Sequence, residues 1–568
     1  MITARVAILC SFNLDLLPRA LAKAATAAGV GVESYLSGYG QWEADVVDAG
    51  SKLYAFAPTT TALFLDAEDA IPVLSADGTP TTLADAEARG MAAWQRAAGA
   101  IRALLERTTG TVLVHTLAAP PRSGLGLLEG NAGYSHTAAL AAYNRELRAL
   151  AARESRVHVL DYGALVADHG WSRWHDARLW HVGRMRLASA SLPILARAYA
   201  RYLAALHTPR RKCLVLDLDN TLWGGVIGED GMGGIQIGHT GVGLAFREFQ
   251  LAILALYRRG VILALASKNN PDDALAAIAS HPDMVLRPEH FAATEIHWQD
   301  KASSVRRLAE RLNIGLDSLV FWDDSELERG MMRDQVPEVL VVDVPADPSD
   351  YARAALDLPC FDALSLTAED QRRGQMYREA AERDSFLEES TRGAGAGALD
   401  AYYASLEMVV HIDPATDVTI PRIAQLTHRT NQFNLSTKRY SEAEIRTKSK
   451  DAAWRVYGMS LRDRFGDLGL IGAALLEVGA DAWQLDTFLM SCRALGRRVE
   501  DAFAAHLARE ALAAGKPLHG AFVPTKKNAP MREMLDRLGW LHGESHVEVM
   551  PLEIPSWLRV VRGADPEK

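Results

Sequence analysis

The sequence predicts an α/β protein of three domains, and three observations carry that reading. Short apolar runs bounded by charge, such as Cys213–Leu216 and Val261–Ala266, have the length and composition of buried parallel strands. Alanine-rich stretches of helical length, Leu16–Ala28 and Ala138–Ala152 among them, alternate with such runs. The chain has 568 residues and is 49% hydrophobic, enough for several cores. A small-residue linker, Arg392-Gly393-Ala394-Gly395-Ala396-Gly397, sets off the last domain.

Composition excludes several classes of function. A net charge of −10 argues against nucleic acid as a partner, which would call for a basic patch. Cys10, Cys213, Cys360 and Cys492 are scattered without a CxxC pair, as in a reduced, cytoplasmic protein without a disulfide frame or zinc site. No apolar run approaches a membrane span. The apolar run Val6–Cys10 is soon interrupted by Asn13 and Asp15, and reads as a first strand.

In residues 1–205 the strand candidates are Val6–Cys10, Val30–Tyr35, Ala62–Asp66, Thr111–Thr116 and Val157–Leu160. With helices between them they predict a doubly wound domain. A second α/β domain spans 210–360. The charged segment Thr367–Thr391 predicts a solvated helical linker over 361–399. Residues 400–568 begin with a strand, Leu406–Ile412. They continue with a helix, paired strands at Trp454–Leu461 and Gly469–Val478, and a strand at Trp483–Cys492. A turn, a helix at Val499–Ala514, a strand at Leu518–Pro524 and a further helix follow.

The chemistry concentrates where the run Cys213–Leu216 ends, in Asp217-Leu218-Asp219-Asn220-Thr221. Open α/β sheets bind ligands outside the carboxyl ends of their strands. Two carboxylates there repel unless a cation lies between them, and Mg2+ would leave one free to attack phosphorus. Ser267, Lys268 and Asn269 follow a second apolar run, Lys301 opens a helix, and Asp323-Asp324 end a third strand at Ser318–Phe321. The glycines crowding 224–243 suit a flap of tight turns, with Ala245–Arg259 as the crossover helix and no large cap.

This ordered set resembles the haloacid dehalogenase phosphatase superfamily. The stretches DLDNTLWGGVIGEDG, SKNN and FWDDSELERG are similar to its FkbH-like branch. The resemblance implies a Rossmannoid core with a minimal cap. Asp217 would be the nucleophile, Asp219 the general acid/base, and Ser267 and Lys301 the holders of the phosphoryl oxygens. Asp217, Asp219, Asp323 and Asp324 would form the Mg2+ site.

Residues 1–205 resemble a flavodoxin/SGNH-hydrolase fold without its catalytic motifs. Cys10 and Ser11 stand where a Gly-Asp-Ser elbow belongs, and Asp161 and His175 lie too far apart for an Asp-x-x-His. The expectation is a non-catalytic domain, in which Ser11, Asn13, Asn131 and His175 remain available for binding. Residues 400–568 resemble the acyltransferase fold of the GNAT superfamily. By that resemblance Arg493, Gly496, Arg497 and Asn528 would hold a phosphopantetheine arm, and Cys492 is a possible acyl thiol. Arg498 stands where the loop's last small residue belongs.

Long FkbH-like proteins of this layout resemble enzymes that dephosphorylate 1,3-bisphosphoglycerate and load its glyceryl group onto an acyl carrier protein. The implied partners are that carrier and a small phosphorylated substrate. The rival expectation is a plain phosphatase acting on a sugar or glycerate phosphate.

Overall fold

A computed structural model describes residues 2–72, 79–120, 122–132, 134–366, 372–391, 398–491 and 494–562. The chain divides into two compact units: Met1–Pro209 with Asp362–Leu364, and Arg210–Phe361 with Ser365–Lys568.

The first unit holds β1 (Ile2–Cys10), β2 (Val30–Leu36), β3 (Thr60–Phe64), β4 (Thr111–His115) and β5 (Val157–Leu160). They form a parallel sheet of order β2-β1-β3-β4-β5. This is the doubly wound order of flavodoxin-like folds, whose strand order reverses beside β1. Helices cover both faces, because strands such as β3 bury every residue and alternate residues point to opposite sides.

The second unit contains two sheets. The first has β6 (Cys213–Leu216), β7 (Ile262–Ser267), β8 (Phe291–Ile296), β9 (Leu319–Trp322) and β10 (Leu340–Val341) in the order β10-β9-β6-β7-β8. All its pairings are parallel, and β6 lies at the centre. Its strands end together, so Asp217, Ser267 and Asp323 fall along one carboxyl edge. The glycine-rich stretch folds as irregular turns with one short helix, Ile227–Asp230. The crossover helix starts earlier than the sequence suggests, running Gly241–Arg258. Gly243 allows a close approach there, because a Cβ would stand 3.0 Å from the Gly238 nitrogen and press on that backbone.

The other sheet contains β11 (Val409–Pro414), β12 (Trp454–Asp463), β13 (Gly466–Val478), β14 (Trp483–Met490), β15 (Leu518–Ala521), β16 (Leu541–His542), β17 (His546–Val549) and β18 (Arg559–Arg562). Its order is β16-β17-β15-β14-β13-β12-β11-β18. The pairs β14–β15 and β11–β18 are parallel in an otherwise antiparallel sheet.

The segment expected as a solvated linker is instead an anchored helix, Arg373–Thr391. Tyr377 joins the core containing Phe321 and Val305. The Arg373 and Arg378 guanidiniums donate to the Gly260 and Glu289 carbonyls. Arg383, fully buried, makes a bidentate pair with buried Asp463 of β12, with donor–acceptor distances of 2.5 and 2.9 Å. The helix therefore ties both sheets into one unit.

Candidate active site

The site is built at the carboxyl edge of β6, β7 and β9. Asp217 follows β6 directly, is buried, and its N–H donates to the Trp322 carbonyl. Asp323 follows β9 and is fully buried. Lys301 opens the helix Lys301–Arg311, capped by Asp300 through the Ser303 N–H. From there its ammonium lies 3.0 Å from Asp217 Oδ2 and 2.6 Å from Asp323 Oδ2. Burial opposes the Lys301 charge, but Asp217 and Asp323 outweigh it and hold the ammonium above its usual range. Burial raises Asp323, and the Asp217 charge adds to it. Asp324 is raised by the same two causes.

Ligand oxygens of Asp217, Asp323 and Asp324 all lie within 4.8 Å of one another. Asp217 Oδ1 is buried without a hydrogen-bond partner. Three carboxylates against one ammonium leave an excess of negative charge in a largely buried site. A hard divalent cation with oxygen ligands fits both the orphaned oxygen and the charge.

The Asp219 carboxylate is not part of that cluster. Residues two apart on an extended strand share a face, but the chain leaves the strand after Leu216 and turns at Asn220, where φ is +53°. The Asp219 carboxylate instead accepts hydrogen bonds from the Trp223 indole (2.9 Å), the Ile227 N–H (3.0 Å) and the Asn269 amide (2.8 Å). Burial pushes its carboxyl above the usual range despite the Ile227 and Trp223 bonds, and the Asp217 charge adds to the shift. A half-buried carboxyl with a raised pKa beside the nucleophile suits a general acid.

Ser267 ends β7 and is buried. The sequence did not reveal the scaffold around these groups. Arg329 donates to the Asp323 and Asp324 carbonyls, at 2.7 and 2.6 Å, and fixes their loop. The Thr221 hydroxyl reaches Asp324 at 3.3 Å. Lys268 pairs with Glu328 at 2.7 Å. The available signals were Trp223 four residues after Asp219 and the second asparagine-bearing strand end.

Cys492 and Arg493 lie outside the described residues. Gly496 has φ of +81°, and its carbonyl accepts the Tyr403 hydroxyl at 2.6 Å. Arg497 is buried and turned inward, 3.7 Å from Asp463, so it is not presented to a phosphate. Asn528 is also buried. Its amide donates to the Asn434 and Val523 carbonyls and its oxygen accepts the Thr525 N–H, so it braces a loop.

The helix Val499–Ala513 carries Glu500 and Asp501 in its first turn. Asp501 is held by Arg498 and Arg537, and burial pushes Glu500 up to about 7. The chain's own carboxylates thus occupy the positive end of this helix, where a bound phosphate was expected.

In the first unit the Ser11 hydroxyl accepts the Asp66 N–H at 2.9 Å, and Asp66 pairs with Arg186. His175 bonds the Tyr162 hydroxyl at 3.1 Å, and Asn131 donates to the Leu127 carbonyl. Among the described residues no hydrogen bond joins Ser11 to His175.

No protein-family model and no curated protein matches the chain. Among solved structures, the chain is similar to the N-terminal part of BF1531 from Bacteroides fragilis, described as containing a phosphatase domain and complexed with Mg. The identity is 30%, over 64% of this chain and 96% of that one, with a TM-score of 0.58. The ribosomal-protein-S18-alanine N-acetyltransferase of Escherichia coli matches 25% of this chain and 96% of its own, at 13% identity and a TM-score of 0.20. A cAMP-binding acyltransferase of Mycobacterium smegmatis matches 25% of this chain and 44% of its own, at 18% identity and a TM-score of 0.17.

Proposed function

The chain belongs to the family of BF1531, proteins built around a haloacid-dehalogenase-like phosphatase domain, and on that premise we propose that it is a Mg2+-dependent phosphatase with Asp217 as its nucleophile. One observation carries the reading: the buried Asp217–Lys301–Asp323 cluster, with one Asp217 oxygen left without a partner.

Asp217 attacks phosphorus and forms an aspartyl phosphate as the leaving oxygen departs. Asp219, whose carboxyl burial raises above its usual range, donates a proton to that oxygen. It then takes a proton from the water that hydrolyses the phosphoenzyme. Lys301 and Ser267 hold the non-bridging oxygens, and Lys301, 3.0 Å from Asp217, orients the nucleophile. Asp217, Asp323 and Asp324 would hold Mg2+, which when bound neutralises the charge of the phosphoryl group.

The finer proposal is that this phosphatase acts on 1,3-bisphosphoglycerate and that the chain delivers the glyceryl group to the thiol of an acyl carrier protein. The three-part sequence layout supports it. A second reading, a plain phosphatase for a sugar or glycerate phosphate with binding modules around it, is favoured by the internally engaged Arg497 and Asn528.

Two measurements separate these readings. Phosphate release should require Mg2+ and be abolished in Asp217→Asn; retained turnover in a folded variant would remove Asp217 from the mechanism. Intact-mass analysis of a carrier protein bearing its phosphopantetheine arm, after incubation with 1,3-bisphosphoglycerate, should show a glyceryl adduct. Phosphate release without an adduct selects the second reading.

A further inference from the structure

Three histidines and a glutamate share one solvent face at the end of the eight-stranded sheet. The register places them. In the antiparallel pair β15–β17, His519 lies opposite Glu548 and Ala521 opposite His546; in β16–β17, His542 lies opposite His546. Paired residues project from the same face, and residues two apart on a strand share it. His519, His542, His546 and Glu548 therefore stand together, while Val547 and Val549 point into the core.

The ring spacing approaches that of metal ligands, though among the described residues only Asp217, Asp323 and Asp324 already have their ligand atoms within 4.8 Å of one another. The His519 and His546 ring centres are 5.5 Å apart, and those of His542 and His546 are 6.2 Å apart. One ion bound about 2 Å from a nitrogen of each ring separates ring centres by roughly 5–6 Å. His542 Nε2 lies 3.6 Å from Glu548 Oε2, so the carboxylate already leans toward the group. His519 Nδ1 is buried without a hydrogen-bond partner. His542 and His546 flank a tight hairpin whose Gly543 adopts φ of +68°, so the backbone fixes their relative positions.

We propose that His519, His542 and His546, with Glu548, form a site for a borderline divalent transition metal of the Zn2+ type, distinct from the carboxylate-only phosphatase site. Imidazole nitrogen with one carboxylate suits Zn2+, whereas Mg2+ prefers oxygen ligands alone. The three acids near Lys301 are already drawn together. The histidine rings are more open, and binding one ion requires their side chains to rotate toward it. Ligands from three adjacent strands would let the ion clamp the β16–β17 hairpin onto β15.

The test is calorimetric titration of the full chain with Zn2+ in excess Mg2+, using wild type, His546→Ala, His542→Ala and Asp323→Asn. The expected result is one Zn2+ site of micromolar affinity, weakened roughly tenfold or more by either histidine substitution and unchanged by Asp323→Asn. Zn2+ should also raise the melting temperature of wild type more than that of His546→Ala. Both histidines are exposed, so neither substitution threatens folding. An isotherm identical in wild type and His546→Ala, or Zn2+ binding lost only in Asp323→Asn, overturns the proposal.

Discussion

Replacing Lys301 by Met tests the electrostatic logic of the phosphatase site. Lys301 lies 3.0 Å from Asp217 and 2.6 Å from Asp323, and all three groups are buried. At an effective dielectric of about 20, each contact is worth roughly 5–6 kcal/mol before desolvation. Much of that is offset by the cost of burying the charges. Losing one partner of a buried pair still costs about 3–5 kcal/mol, because the remaining charge stays behind. Here two carboxylates remain, with oxygens within 4.8 Å, and their repulsion is roughly 3 kcal/mol on the same scale.

Urea unfolding of the full chain in EDTA, followed by circular dichroism, should show Lys301→Met less stable by about 3–5 kcal/mol. Mg2+ should restore part of the loss. Adding Asp217→Asn removes the other half of the Lys301–Asp217 pair, so the double variant should be more stable than additivity predicts by about 3 kcal/mol, the coupling left after desolvation. Additive behaviour, or a Lys301→Met protein within about 1 kcal/mol of wild type in EDTA, would refute the reasoning.

The pH dependence follows from the raised carboxyls. Asp323 and Asp324 hold protons in the folded state above their ordinary value of 3.8, where the unfolded chain has released them. Their contribution to stability without Mg2+ therefore falls as pH rises from about 4 through their raised values. The difference in unfolding free energy between wild type and Asp323→Asn, measured in EDTA at about pH 4.5 and about pH 7.5, should move against wild type at the higher pH. Arg383→Met leaves Asp463 buried without its bidentate partner, and should destabilise the second unit by about 3–5 kcal/mol in a thermal or urea melt. Ser11→Ala removes only an acceptor for the Asp66 N–H. It should cost about 1 kcal/mol of stability, leave phosphate release unchanged, and abolish no labelling by a fluorophosphonate probe, since none is expected in wild type.

The sequence by itself determined the α/β class, the central strand Cys213–Leu216 and the order of the site residues. Apolar runs and strand-end chemistry are local, and a parallel sheet brings successive strand ends to one edge whatever the loops do. Asp217, Lys301 and Asp323 were legible for that reason. Only the tertiary structure decided where each carboxylate points. Asp219 is two residues from Asp217, yet the turn at Asn220 hands it to Trp223, Ile227 and Asn269, groups up to 50 residues away.

The same holds for charge. The run containing Arg383 reads as solvated because its period says nothing of Asp463, which lies 80 residues on. Arg497 and Asn528 belong to a pattern that suggests phosphate, but Arg497 lies beside buried Asp463 and the Asn528 amide donates to the Asn434 and Val523 carbonyls. Whether a polar side chain faces a ligand or its own core depends on which long-range partner satisfies it, and that is fixed only when the sheets and helices pack.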